Sequence, residues 1–112
     1  MKTSSAKAKG RRCAQEAKEK LLKYSQLEDG DVVVTSSGET GEDLKLSPLA
    51  KKVFPFTFEC KNVEKLNIWS ALDQAESHAK ADEIPAVVFK RNRSKQFVAL
   101  DFEAFLSLLS TR

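Results

Sequence analysis

Cysteine, histidine, glycine and long apolar runs are all scarce in this 112-residue chain, and each shortage excludes something. The two cysteines, Cys13 and Cys60, form no C-x-x-C pair and have no histidine close by, so neither a disulfide scaffold nor a zinc set can be built from them. A reduced, intracellular protein is expected. The single histidine, His78, excludes metal motifs that need two. None of the four glycines falls in a G-x-G-x-x-G or Walker pattern, so the common nucleotide-binding loops are missing as well. Met1 to Lys9 is small, polar and lysine-rich with no apolar run behind it, so neither a signal peptide nor a membrane span is expected.

What is present is enough for one core: 41% of the residues are apolar, and the length is that of a single domain. Charge is unevenly spread. Residues 1–23 carry a net +6 and residues 24–112 a net −3, which places the basic excess where it can meet a polyanion. Residues 1–9 are expected as a flexible basic tail and residues 10–112 as the folded domain.

Ala14, Ala17, Leu21 and Tyr24 recur at helical spacing, which predicts a first helix from Gly10 to Tyr24. Asp29-Gly30 marks a turn before the β-branched run Val32-Val33-Val34, a strand. Glu42 to Leu46 alternates and reads as a second strand. Ser47-Pro48 is a helix start, so a short helix over Pro48 to Val53 follows. Phe56 to Lys61 alternates again, with Thr57, Glu59 and Lys61 on its polar face. A second long helix begins at the N-cap Asn67, with Ile68, Trp69, Leu72, Ala75 and Ala79 on its apolar side. Ile84 to Phe89 and Phe97 to Leu100 form a hairpin, and Asp101 caps a last amphipathic helix. The class is α/β with a mixed sheet. Trp69, Phe56, Phe58, Phe89 and Phe97 are expected in the core, with an exposed Trp69 at a dimer interface as the alternative, and His78 on the solvated outer part of its helix.

Asp43 on one strand, with Glu59 and Lys61 on another, is the constellation that carries chemistry. Carboxylates at such positions are costly to bury without a cation or hydrogen bonds. A hard divalent ion would neutralise them, and two carboxylates, a backbone carbonyl and waters make the oxygen set that Mg²⁺ or Mn²⁺ prefers. Lys61 would emerge beside that ion, placed to hold an attacking water or a scissile phosphate. Taken singly, Asp43 with Lys45 also fits the solvated face of an edge strand, and Glu59 with Lys61 a charge pair on the sheet.

The order of these residues and elements resembles the PD-(D/E)xK nuclease superfamily: Asp43, then Glu59-x-Lys61 one loop and strand later, within a helix, three-strand, helix, strand core. Gly41-Glu42-Asp43 stands where that family often has Pro-Asp. Lys9-Gly10-Arg11-Arg12, Ser36-Ser37-Gly38 and Phe58-Glu59-Cys60-Lys61-Asn62 most resemble Holliday-junction resolvases of archaeal type and their bacteriophage relatives. The resemblance implies a restriction-endonuclease-like αβββαβ core, with a mixed five-stranded sheet flanked by helices. It also implies that Asp43, Glu59 and the Cys60 carbonyl bind Mg²⁺ or Mn²⁺, that Lys61 orients or activates water, and that hydrolysis leaves a 5′-phosphate. A first-helix Glu or Gln often joins such sites. Counting places Gln15 there, with its neighbour Glu16 left open. Ser37 would contact a phosphate.

Lys9, Arg11, Arg12 and Lys65, together with the acid-free cluster Lys90, Arg91, Arg93 and Lys95, are the expected DNA contacts. Such cations add salt-dependent affinity without reading sequence. The expected partners are branched DNA, four-way junctions above all, and a second copy of the chain, since a two-fold dimer matches a junction's pseudo-symmetry. The expected setting is the cytoplasm of a prokaryotic or phage-infected cell. The rivals are a nicking or restriction-like nuclease acting on nonbranched DNA and a non-catalytic nucleic-acid-binding module.

Overall fold

The computed structural model describes residues 3–35 and 41–110, with side chains described from Ala6 onward. Helix α1 spans Thr3–Lys23, β1 Val32–Val34, β2 Leu44–Leu46, α2 Pro48–Val53, β3 Phe56–Asn62, α3 Ile68–His78, β4 Ile84–Lys90, β5 Phe97–Leu100 and α4 Phe102–Ser110. Residues 3–9, expected as a loose tail, continue α1 instead. Ala6, Lys7, Ala8 and Lys9 are strong helix formers, and their combined propensity outweighs the penalty of about 1 kcal/mol for Gly10. Tyr24 lies beyond the helix end and is exposed.

The α1 stripe is made of small residues. Cys13, Ala14 and Ala17 are buried, so the helix lies close on the sheet face that carries Phe58 and Cys60, with Val32, Leu44 and Ala86 completing that core. α3 covers the opposite face, burying Ala71 and Ala75 against Val87. Its start is fixed by Asn67, whose side chain accepts the Ser70 N–H at 3.1 Å. α2 begins in the same way, with the Ser47 hydroxyl accepting the Ala50 N–H at 3.1 Å and Pro48 in the first turn.

β3 and β4 pair in parallel through the α3 crossover, and β4 pairs antiparallel with β5. β1 and β2 form a separate antiparallel pair. The expected five-stranded sheet is therefore two sheets, of two and three strands. Asp43 is the cause. Its N–H donates to the Phe58 carbonyl at 3.0 Å, but its own carbonyl turns to Thr35 N at 3.0 Å. The next ladder donor, Cys60 N–H, is taken by the Asp43 side chain at 2.7 Å rather than by a backbone carbonyl. The two sheets thus meet at a single residue and diverge beyond it.

Trp69 and Phe97, expected in the core, are 75% and 50% exposed, and α4 buries none of its residues.

Candidate active site

Residues of one strand face share a direction, so Thr57, Glu59 and Lys61 look towards α3 while Phe58 and Cys60 look towards α1. Glu59 is 1% exposed and sits mid-strand. Burial pushes its carboxyl above the ordinary glutamate range, and the Asp43 charge adds to this. A hydrogen bond from His78 and the Lys61 charge act in the opposite direction. The charges of Asp43 and Lys61 thus both reach the Glu59 carboxyl, with opposite effects. Asp43 stands at the entry of β2 rather than inside it, half-buried, with Oδ2 held by Cys60 N–H.

In an extended strand the N–H and C=O of one residue point to the same edge. The Cys60 N–H faces Asp43, so the Cys60 carbonyl lies on that edge too. The Cys60 thiol is buried on the α1 side, and its pKa is pushed up by its hydrogen bond to Cys13 and by burial. Asp43, Glu59 and the Cys60 carbonyl offer only hard oxygen donors, a chemistry that fits Mg²⁺ or Mn²⁺ with water filling the remaining positions. Among the described residues no group of three or more His, Cys, Asp or Glu gathers to hold a metal, so any ion here would depend on carbonyl and water oxygens.

Neither first-helix candidate joins the pair. α1 packs on the face opposite Glu59. Gln15 is exposed, its amide 3.4 Å from Glu19. Glu16 binds Lys20 at 3.0 Å and Lys90 at 3.6 Å. Partial burial would raise the Glu16 pKa, but these lysines outweigh it and lower it. Ser37 lies outside the described residues.

Lys9, Lys61 and Lys65 line a groove of about 540 Å³ between α1 and the end of β3. Lys90, Arg91 and Lys95 line another of about 540 Å³ at the β4–β5 turn. Both grooves reach Val63 and Glu64, so the basic residues border one continuous stretch of surface. Glu64 is occupied structurally, accepting Asn92 N–H at 2.6 Å and tying the turn to β3. Gln96 anchors the other side of the turn by donating to the Cys13 carbonyl at 2.9 Å. Arg11 and Arg12 are exposed on α1, and Arg91 and Arg93 on the turn.

His78 is what the sequence reading missed. Its Nδ1 lies 2.8 Å from Glu59 Oε2, so the residue belongs to the site and not to a solvated surface. The signal was helical phase: buried Ala71 and Ala75 continue at helical spacing to 78, not to 79, where the helix has already ended.

The family described as "Phage putative PDDEXK endonuclease" matches residues 6–112, and the chain belongs to it. Membership supports nuclease activity and implies DNA as the substrate. No curated protein and no solved structure matches the chain. Among the described residues, no helix is long and apolar enough to cross a membrane.

Proposed function

We propose that this chain is a Mg²⁺- or Mn²⁺-dependent endonuclease that cleaves branched DNA, four-way junctions above all, acting as a homodimer. The observation that supports the reading is the Asp43 carboxylate bound at 2.7 Å to the backbone of Cys60, the residue between Glu59 and Lys61, beside a groove lined by lysines. Asp43, Glu59 and the Cys60 carbonyl would hold the ion, which supplies charge neutralisation at the phosphate and makes water more acidic. Lys61 holds the attacking water or a non-bridging phosphate oxygen. Water adds to phosphorus and gives up a proton to solvent as the bond to the 3′ oxygen breaks, and that oxygen takes a proton from solvent, leaving a 3′-hydroxyl and a 5′-phosphate. Lys9, Arg11, Arg12, Lys65 and the turn cations hold the flanking backbone, which favours recognition of branch shape over base edges. Gln15 or Glu16 would enter the site only if α1 shifts when DNA binds.

Exposed Trp69, with Phe102, Phe105, Leu106 and Leu109 on α4, supports a second copy as partner. Sedimentation at micromolar concentration should give a dimer that Phe105→Glu dissociates. A monomeric wild type would remove the symmetry argument. Cleavage of four-way junction, fork and linear duplex of the same sequence, each with Mg²⁺ and with EDTA, tests the rest. Preference for the junction, lost in EDTA, is expected. Equal rates on junction and duplex would favour the nonbranched-DNA nuclease, and binding without cutting would favour the non-catalytic module.

A further inference from the structure

The Glu59 carboxylate is almost completely buried, and the contact that holds it comes from a different element. His78, the last residue of α3, puts Nδ1 2.8 Å from Oε2, with the two side chains 25% and 1% exposed. The placement of His78 is built into the helix. Ala71 and Ala75 are buried on the same stripe, and Ala79 N–H closes the last turn on Ala75 O at 3.1 Å and Glu76 O at 3.3 Å. That turn fixes the imidazole over the β3 face. An ionised carboxylate only accepts hydrogen bonds, so the ring nitrogen facing it must carry the proton.

Resting on the metal-dependent nuclease reading above, we propose that His78 is a positioning residue for the metal-binding carboxylate. By donating Nδ1–H to Oε2 it fixes the rotation of the Glu59 carboxylate, so that Oε1 is the oxygen offered to the cation. A glutamate side chain has three rotatable bonds, and freezing them only when the ion arrives would weaken binding. Held beforehand by α3, the carboxylate has already lost that freedom in folding. Hydrogen bonds of this outer kind are typically worth a factor of about 10 to 100 in metal affinity. The inference also gives α3 a part in the site, although none of its residues belongs to the D…E-x-K pattern.

The test compares wild type, His78→Leu and His78→Asn. Leucine keeps the bulk without a donor, while the asparagine amide nitrogen lies near the place of Nδ1. Mn²⁺ binding to DNA-free protein is measured by calorimetry, with thermal unfolding and four-way-junction binding in EDTA as parallel readouts. His78→Leu should weaken Mn²⁺ binding about 10- to 100-fold. His78→Asn should stay within a few-fold of wild type, and junction binding in EDTA should be unchanged in both. In cleavage, His78→Leu should need more Mn²⁺ for half-maximal rate while keeping its rate at saturation. Unchanged Mn²⁺ affinity in His78→Leu would overturn the inference alone, as would a folded His78→Asn as weak as His78→Leu. A wild type that binds no Mn²⁺ would bring down the metal reading and this inference with it. Should His78→Leu lose its thermal transition, His78→Ala takes its place in the comparison with the same deciding outcomes.

Discussion

The carboxylate of Asp43 accepts the backbone N–H of Cys60 at 2.7 Å, standing where a carbonyl of a neighbouring strand would stand in a continuous sheet. One side chain therefore takes the place of a ladder bond between the two sheets and presents an acid where they part. Structure and chemistry can be separated by the choice of substitution. Asp43→Asn keeps an oxygen for Cys60 N–H and removes the charge, whereas Asp43→Ala leaves that buried donor unpaired at a cost of about 1–3 kcal/mol. Urea unfolding should show Asp43→Asn within about 1 kcal/mol of wild type and Asp43→Ala clearly below it. Cleavage should be lost in both. Junction binding in EDTA should survive in Asp43→Asn, or tighten, because a negative charge near phosphate has gone. Wild-type cutting by Asp43→Asn would remove this residue from the site.

Glu59 should show the cost of keeping a functional acid in a protein interior. Its folded pKa is raised above the ordinary 4.5, chiefly by burial. A raised value means that the stabilising contribution is complete below the unfolded pKa and disappears as pH climbs through the folded one. As pH climbs through that folded value, the metal-free protein takes on the penalty of the buried charge. Glu59→Gln keeps an acceptor for His78 while removing the charge. Its thermal midpoint without metal should exceed that of wild type at pH 7 by several degrees, as about 1 kcal/mol would give in a chain of this length. The gap should narrow towards pH 4, and cleavage should vanish. A midpoint difference independent of pH would show that the buried charge is not what limits stability.

Much of this was legible because local chemistry and tertiary outcome agree. Ser47-Pro48 announces α2, whose hydrogen-bonded cap occurs where the residues place it. The alternation of Phe56 to Lys61 puts Glu59 and Lys61 on one face, as β3 does. The division into two sheets was not legible, since it depends on a side chain replacing one ladder bond, an exchange that strand periodicity does not encode. His78 was hidden for a related reason. Apolar phasing weighs alanines as core and histidine as surface, and gives no weight to a buried carboxylate on a strand that pairs with the imidazole. Trp69 and Phe97 look like core by composition and lie outside, because α1 and α3 bury small residues and sit close to the sheet.

Glu83 is the opposite case to Glu59. Burial alone would raise its pKa, but hydrogen bonds from Lys51, Thr57 and the Lys80 N–H, with the Lys51 charge 2.8 Å away, outweigh it and hold it at about 2. A depressed value gives stability that is complete above the unfolded pKa and is lost as pH falls towards the folded one. Acid should therefore weaken the protein between the ordinary 4.5 and about 2. Glu83→Gln should cost about 1–2 kcal/mol at pH 7, less than a fully buried pair because both ends keep some solvent. It should also flatten the acid limb of a stability–pH curve measured by urea unfolding. An unchanged limb would assign acid unfolding to other carboxylates.

Arg93 allows charge to be tested apart from structure. It adopts φ 65° in the β4–β5 turn, a left-handed conformation in which a side chain is disfavoured and glycine is at ease. Ser94 holds the turn around it, its N–H donating to Arg91 O at 3.1 Å and its hydroxyl accepting Arg91 N–H at 3.0 Å. Arg93→Gly should therefore leave the turn in place and change stability by no more than about 1 kcal/mol, so any lost affinity reports on the guanidinium. If that group meets a phosphate, the slope of log K against log salt for four-way-junction binding should fall by about 0.9. Arg91→Ala, at an exposed position in the same turn, should produce a similar fall, and the two together about twice as much. Cleavage at low salt should change little, since neither guanidinium is among the groups around Asp43 and Glu59. A slope equal to wild type in both variants would move the DNA path off this turn and onto the α1 side, where Lys9 and Lys65 border the other groove.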